Sequence, residues 1–262
     1  MELHETQPDQ AALNARHCSF CGSELNAVAQ FCSSCGKPAI VTEDEGADPI
    51  ETLMPVLIYY FVTLLLLGVY KLTDIFGRGL SDFLVISVVD IIIVVGFCIY
   101  HYKSLVPLFS IRRVKPGIVL LVIMGCIAGA IVVHFIAQGL NSVLGEDDFY
   151  LIGGFSDTSH PELFAILFIC VQPAIFEEVA FRGFMFNNIM KVSGGEAAIY
   201  VTSFMFGIIH LAFLGLIWLV PIGLAFAFLR LKFNTLWYGM IGHFTYNFVI
   251  IAIEYINLNQ YP

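Results

Sequence analysis

The chain is poor in charged residues, and the few that it has are mostly acidic. Of its 262 residues only 13% are charged and 58% are hydrophobic, and the formal net charge is −9. Soluble proteins carry about 25% charged and about 45–50% apolar residues, so this composition excludes an ordinary soluble protein. The acidic balance also disfavours nucleic acid and anionic lipid as electrostatic partners. A mean hydropathy of +0.85 instead indicates a membrane protein, with the lipid bilayer as its main partner.

A signal peptide is missing from the start of the sequence. Residues 1–52 contain no basic start followed by an apolar stretch, so we expect membrane insertion to begin with the first span. They carry nine acids against Arg16 and Lys37, a net charge of −7 (2 − 9). We therefore expect an amino-terminal tail over 1–16 and an acidic linker over 39–52, because neither has enough apolar surface to fold alone.

Between the tail and the linker, residues 17–38 carry the spacing C-x2-C-x10-C-x2-C. The four cysteines are Cys18, Cys21, Cys32 and Cys35. Two such pairs can place four thiolates tetrahedrally around a structural Zn²⁺. The alternative is two disulfides in an exported head, which the missing signal peptide disfavours. The segment resembles the short zinc-ribbon modules found at the front of many bacterial membrane proteins, which implies a small, stable β-knuckle fold rather than a specific partner. Separately, we expect a cytoplasmic protein as the partner of this ribbon.

The rest of the chain, residues 53–257, consists of apolar stretches that predict an all-α polytopic membrane protein with about seven transmembrane helices. A helix needs about 20 residues to cross the bilayer core. The predicted spans are 53–70, 83–102, 117–139, 162–190, 197–214, 216–230 and 235–257. The fifth and sixth are short, and we expect a break between them near Gly215 and Pro221. Residues 258–262 form a carboxyl-terminal tail.

The charges of the loops predict the orientation of these spans. The loop at 103–116 carries four Lys or Arg residues and no acid, which is typical of a cytoplasmic loop. The loop at 140–161 carries four acids and no Lys or Arg, so it is expected outside. The amino terminus is therefore predicted to be cytoplasmic, in the inner or plasma membrane if the source is bacterial.

Polar residues interrupt three of the spans. Glu177, Glu178 and Arg182 lie in the fourth, where a carboxylate costs roughly 2.5–3.5 kcal/mol even on lenient scales. Glu178 and Arg182 are four residues apart and can neutralise each other on one helical face. Glu177 points away from that pair and is left to act as a general base. Pro173 lies one turn earlier and is expected to kink the helix.

The other two motifs contain histidine. His210 follows Phe206 by one helical turn, and His243 precedes Asn247 by one turn. An imidazole and an amide that converge on one point are a plausible donor pair for a developing oxyanion. Isolated histidines in spans are more often hydrogen-bonded packing residues, and we interpret His134 in that way.

Together the three motifs resemble a known family. E-E-x-x-x-R, F-x-x-x-H and H-x-x-x-N, in this order, are similar to the motifs of the CAAX-protease and bacteriocin-processing intramembrane endopeptidases, over about residues 115–257. The resemblance implies a helical bundle with a conical cavity open to membrane and cytosol. It also implies that Glu177 and His210 activate water, that His243 and Asn247 stabilise the oxyanion, and that Glu178 and Arg182 hold the site in shape.

The resemblance leaves the chemistry and the substrate open. Two Glu and two His can also bind a catalytic metal, but H-E-x-x-H is absent, and metal-free water activation needs the same side chains. Family members cut membrane-associated proteins, some of them prenylated. The competing hypotheses are a non-catalytic scaffold or bacteriocin self-immunity protein that recruits partners through the zinc ribbon, and a transporter that relays protons.

Overall fold

The computed structural model of the chain describes residues 16–17, 24–25, 32, 48–73, 75, 80–144 and 151–260. It divides into two compact units, Met1–Asp48 and Pro49–Pro262. In the first unit, strand β1 (Arg16–His17) pairs antiparallel with strand β2 (Glu24–Leu25). Leu25 and Cys32 are buried there. The other predicted zinc ligands, Cys18, Cys21 and Cys35, lie outside the described residues, as does most of the tail and linker.

The second unit is helical in its described residues. Its longer helices are α1 (Pro49–Leu72), α2 (Leu80–Tyr100), α4 (Pro116–Leu144), α7 (Phe186–Ile209), α8 (Leu216–Phe233) and α9 (Trp237–Gln260). Three shorter ones are α3 (Tyr102–Leu105), α5 (Pro161–Ala165) and α6 (Gln172–Glu177). Helix α1 begins four residues before the predicted start of the membrane region. Pro49 favours this start because the first helical position needs no N–H donor.

Three 3₁₀ turns and two π-helical segments join these helices. The turns cover Val106–Phe109, Ile111–Arg113 and Ile152–Phe155. The first π-helical segment, Ile166–Val171, precedes α6, and the second, Glu178–Met185, follows it. A widened helical turn thus lies immediately before Pro173, where we expected the helix to kink. Proline lacks an N–H and crowds the preceding turn, and a π-turn relieves both problems.

Six helical segments of the described chain are long and apolar enough to cross a membrane, which supports a multi-pass membrane protein. The longest is the 49-residue segment Pro161–Ile209. Gly194 interrupts it with a φ of 81°. The rings of Phe181 and Phe206 lie 5.4 Å apart, whereas 25 residues of straight helix would separate them by about 37 Å. The segment thus folds back on itself, but residues 195–209 are fewer than a full span needs, and the count of seven spans remains a prediction.

The break between α7 and α8 lies at residues 210–215, where Leu211 has a left-handed φ of 51°. The expectation of a break near Gly215 agrees with this, but Pro221 lies inside α8. A proline among the first four residues of a helix removes no hydrogen bond, because the N–H groups there have no partner within the helix. Pro221 lies two residues beyond them and removes one hydrogen bond. Helix α8 ends at Phe233, and the next residue, Asn234, also adopts the left-handed conformation.

The segment from Tyr102 to Lys115 packs against the start of α9. The backbone N–H of Leu236 and the hydroxyl of Thr235 both donate to the carbonyl of Leu108, at 3.1 and 3.0 Å. The hydroxyl of Tyr238 accepts the backbone N–H of Lys115 at 2.7 Å. These hydrogen bonds fix the position of the beginning of α9. They thereby help to determine which residues of the neighbouring helices the later residues of α9 contact.

Candidate active site

Glu178 and Arg182 form a buried ion pair in the second π-helical segment. Their side chains are 0% and 1% exposed, and Nη1 of Arg182 donates to Oε1 of Glu178 at 2.9 Å. The guanidinium also lies 4.3 Å from the ring centre of Phe206 and 5.6 Å from that of Phe226. Aromatic faces stabilise a desolvated cation. The pair that the sequence predicted is therefore enclosed by aromatic rings of α7 and α8.

His243 connects this pair with the second carboxylate. Its Nδ1 lies 3.1 Å from Oε1 of Glu178, and its Nε2 lies 3.9 Å from Oε2 of Glu177. A carboxylate oxygen only accepts hydrogen bonds, so Nδ1 carries the proton. In the neutral ring, Nε2 is then an acceptor that faces Glu177. Glu178 thereby fixes the orientation and the tautomer of His243, a role beyond the pairing with Arg182.

Glu177 differs from its neighbour in its surroundings. Its side chain is 28% exposed, and its Oε2 has no hydrogen-bond partner within the described part of the chain. Glu178, by contrast, is fully buried and holds two partners through one oxygen. The two adjacent acids thus have different surroundings, since one is paired with Arg182 and the other lines a cavity with its Oε2 enclosed and unpartnered in the described residues.

His210 caps the end of α7, beside the same open space. Its Nδ1 lies 2.7 Å from the carbonyl of Phe206. Because a carbonyl only accepts, Nδ1 is the protonated nitrogen and Nε2 is the acceptor in the neutral ring. Lys71 of α1 donates to the carbonyl of His210 at 2.6 Å. The position of His210 is therefore fixed from both its side chain and its backbone.

Asn247 lies one turn beyond His243 on α9, and part of its amide is already used. Nδ2 donates to the carbonyl of Ile169 in the first π-helical segment at 2.7 Å. An amide nitrogen has two N–H groups, so one remains for another acceptor. The expected pair of donors is thus reduced: Asn247 offers one N–H, and His243 offers none through Nε2 while its ring is neutral.

Arg230 is a positioning residue that sequence reasoning missed. Its side chain is buried, and Nε donates to the backbone carbonyl of Arg182 at 2.9 Å. Its other nitrogens donate to Oδ1 of Asn187 at 2.6 Å and to Oδ1 of Asn234 at 2.8 Å. In the sequence Arg230 is one of two basic residues next to a loop. Its contacts instead fasten the second π-helical segment to α8.

Gly239 is the second missed residue. A Cβ atom at this position would overlap Oε2 of Glu178, the carboxylate oxygen that has no partner within the described residues. Any larger residue on α9 would therefore push the carboxylate of Glu178 away from its two partners. Only the absence of a side chain allows α9 to approach this closely.

Replacing Gly239 by Ala is accordingly expected to reduce both activity and stability. Overpacking of a tight site costs about 1–3 kcal/mol, and the displaced Glu178 carboxylate would release His243. Thermal unfolding in detergent and a cleavage assay measure the two effects. Gly96→Ala on α2 is the matched control, because a Cβ there meets no atom within 4 Å. Equal behaviour of the two variants would contradict the proposed contact.

The four residues Glu177, His210, His243 and Asn247 line one cavity of about 440 Å³. From these residues the cavity extends along α4 and α9 toward Leu151 and Asn257, and aromatic and aliphatic side chains form much of its wall. This end lies opposite the basic segment 103–116. The orientation predicted from loop charges and the implied opening to membrane and cytosol both remain predictions.

Other predicted residues have separate places. His134, which we interpreted as a packing residue, lines the cavity. No group of three or more His, Cys, Asp or Glu in the described ranges could hold a metal ion. Glu177 and His243 would provide only two ligands of a catalytic metal, so no step of the chemistry below is assigned to one.

The helices and the site define a polytopic membrane protein with an acid–histidine centre beside a cavity, and two comparisons support a membrane protease. Residues 159–249 match the model of the family described as Type II CAAX prenyl endopeptidase Rce1-like. This range contains all six motif residues but only about a third of the chain.

The chain is also similar to a protein of Bacillus subtilis (strain 168) named "Putative membrane peptidase YdiL". The two are 24% identical over 166 residues, which cover 60% of this chain and 66% of that protein. The chain thus spans slightly less than two thirds of the length of this relative. No solved structure shows significant similarity to the chain.

Proposed function

We propose that the protein is an intramembrane endopeptidase that hydrolyses peptide bonds of membrane-associated substrates with a water molecule activated by Glu177. The observation that carries this proposal is the 3.9 Å separation of Glu177 Oε2 and His243 Nε2 at the wall of the cavity. Both atoms are acceptors with free lone pairs. Oε2 of Glu177 is enclosed and lacks a hydrogen-bond partner in the described residues, so a water molecule admitted beside it, about 2.8 Å from each atom, would donate a hydrogen bond to both.

The arrangement supports a balanced sequence of proton transfers. Glu177 removes a proton from the water while the oxygen attacks the carbonyl carbon of the peptide bond. The remaining N–H of Asn247 is available to the oxyanion that forms. Glu177 then returns the proton to the amide nitrogen, the C–N bond breaks, and a carboxylic acid and an amine result. His210 lines the same cavity, and we assign it a role in holding the water or the leaving group.

Hydrolysis of membrane peptides by the purified protein in liposomes tests this function. Prenylated CAAX peptides and unprenylated membrane peptides would be incubated in H₂¹⁸O and analysed by mass spectrometry. We expect new termini, with the label in the new carboxyl group after a single turnover. Unlabelled first-turnover product would indicate attack by Glu177 itself rather than by water. Absence of cleavage throughout the panel would favour the scaffold or immunity hypothesis.

The amino-terminal unit is assigned a separate function. We propose that Cys18, Cys21, Cys32 and Cys35 bind one structural Zn²⁺, on the basis of their spacing and of the paired strands β1 and β2 beside the first two cysteines. The unit would be cytoplasmic and would bind a protein partner there.

Changing Cys18 and Cys21 to Ser is therefore expected to remove the bound zinc without abolishing peptide cleavage. Such modules need zinc to fold, because the four ligands do not assemble without it. The residues that line the cavity all belong to the helical unit, so we expect their positions not to depend on zinc. Elemental analysis of the purified protein measures the zinc content, and the liposome assay measures cleavage. Cys98→Ser/Cys126→Ser serves as a control for the loss of thiols. Loss of cleavage together with zinc would contradict the separation of the two functions.

A further inference from the structure

Helix α1 contacts the carboxyl-terminal end of α7, which carries His210 of the candidate active site. The hydroxyl of Tyr60 donates to the backbone carbonyl of Met205 at 3.3 Å, and Nζ of Lys71 donates to that of His210 at 2.6 Å. Tyr60 and Lys71 are eleven residues apart, about three helical turns, so both lie on the face of α1 that is turned toward α7. Helix α1 lies outside residues 159–249, the range that matches the family model. The end of α7 is thus held by an element that the family match does not cover.

The turn that ends α7 is tightened and then reversed. The backbone N–H of His210 donates to the carbonyl of Gly207 at 3.3 Å, and that of Leu211 donates to the carbonyl of Ile208 at 2.9 Å. The carbonyl of Phe206 accepts a hydrogen bond from Nδ1 of the His210 ring at 2.7 Å. Leu211 then adopts a left-handed φ of 51°, which is unfavourable for a residue with a side chain. The ring of His210 therefore takes its position from the backbone of this turn.

Lys71 binds the peptide group at which the chain reverses. The carbonyl of His210 lies at the end of the helix, where carbonyl groups lack an N–H partner within the helix. An ammonium group satisfies this carbonyl and interacts favourably with the negative end of the helix dipole. A shift of the peptide group would move the His210 ring within the cavity that it shares with Glu177 and His243.

From these contacts we propose that Lys71 is a positioning residue for His210, and that α1 is thereby part of the catalytic unit. The proposal rests on the endopeptidase function proposed above. Lys71 binds the backbone of His210 rather than its ring, so it would act through the turn. Its side chain is exposed, and we therefore expect its contribution to stability to be small. Loss of Lys71 should disturb the site much more than the fold.

Solid-state NMR of the histidine rings in liposomes tests the contact without requiring cleavage. The protein would be labelled with ¹⁵N-histidine, and the His210 signals would be identified by their absence from the His210→Gln variant. We expect one set of His210 signals in the wild type, with the proton on Nδ1. Lys71→Met and Lys71→Ala should each shift or split these signals. Lys71→Arg, which keeps a charged donor, should restore a single set.

Two matched variants separate this contact from a general effect on the interface or on the charge. Tyr60→Phe removes the other hydrogen bond from α1 to α7 and leaves the bond to His210 in place. Lys232→Met removes an exposed lysine from the last turn of α8, where its Nζ lies 5.4 Å from the ring centre of Phe228. Both should leave the His210 signals unchanged. Wild-type signals in Lys71→Met, or an equal change in either control, would overturn the proposal.

The cleavage assay measures the consequence for the reaction. Because a misplacement of about 1 Å can cost about 10²-fold in rate, we expect Lys71→Met to lower kcat by about 10–100-fold and to leave KM within about twofold. In a His210→Gln background the same change should lower kcat by less than about twofold, since the ring on which Lys71 acts is absent. Losses that multiply in full in the double variant would contradict a role through His210.

The two assays distinguish failure of this proposal from failure of the endopeptidase function. Wild-type protein that cuts no peptide, together with the expected change of the His210 signals in Lys71→Met, would overturn the proposed function alone. Cleavage by the wild type, together with unchanged His210 signals in Lys71→Met, would overturn the role of Lys71 alone.

Discussion

The Glu177→Gln variant is expected to lose peptide cleavage by a factor of about 10²–10⁴ while its stability stays near that of the wild type. A general base contributes about this factor, and an amide oxygen cannot take the proton from water. The stability should hold because Oε2 of Glu177 has no hydrogen-bond partner in the described residues and the side chain is partly exposed. Initial rates in liposomes and thermal unfolding in detergent measure the two properties.

Glu162→Gln is the matched control for this experiment, since Glu162 is exposed on α5 and does not line the cavity. It should retain full activity. If Glu177→Gln cleaved at more than about a tenth of the wild-type rate, Glu177 would not be the general base and the proposed mechanism would fail. Equal loss of activity and stability would instead assign Glu177 a structural function.

Arg182→Met is expected to cause the largest loss of stability, about 3–5 kcal/mol in the free energy of unfolding. It leaves the fully buried carboxylate of Glu178 without its cation and removes the contact with the rings of Phe206 and Phe226. Removing one member of a buried pair is costly because the other charge stays desolvated. Unfolding of the detergent-solubilised variant measures the effect.

A double-mutant cycle shows whether the uncompensated charge is the cause. Glu178→Gln combined with Arg182→Met removes both charges and should recover a large part of the stability lost in Arg182→Met. The double variant should remain inactive, because His243 also loses the carboxylate that orients its ring. If the double variant were as unstable as the sum of the two single ones, the charges would not be coupled.

The residues of the site could be predicted because burying a charged or polar side chain in a membrane costs free energy. Such residues are therefore conspicuous in otherwise apolar spans. Spacings of four place Glu178 beside Arg182 on one helical face, and the structure shows this contact at 2.9 Å. Local geometry determines such pairs, and the sequence therefore contains enough information to predict them. Whether these residues catalyse a reaction is a question for the variants above.

Contacts between distant segments could not be predicted in the same way. The bond from His243 to Glu178 depends on how α9 packs against the second π-helical segment, and no local pattern encodes the π-turns. The close approach at Gly239 has the same origin. The sequence does not single out Arg230, because the backbone carbonyl of Arg182 and the amides of Asn187 and Asn234 are brought to it by folding. The direction in which the cavity extends likewise depends on how the helices pack against one another.

That direction has a consequence for the compartment in which the protein would act. The cavity extends from Glu177 toward Leu151 and Asn257, away from the basic segment 103–116. If the loop charges orient the helices as predicted, this end of the cavity lies nearer the exterior face. Under the proposed endopeptidase function, a peptide chain would then approach Glu177 from the exterior side of the membrane.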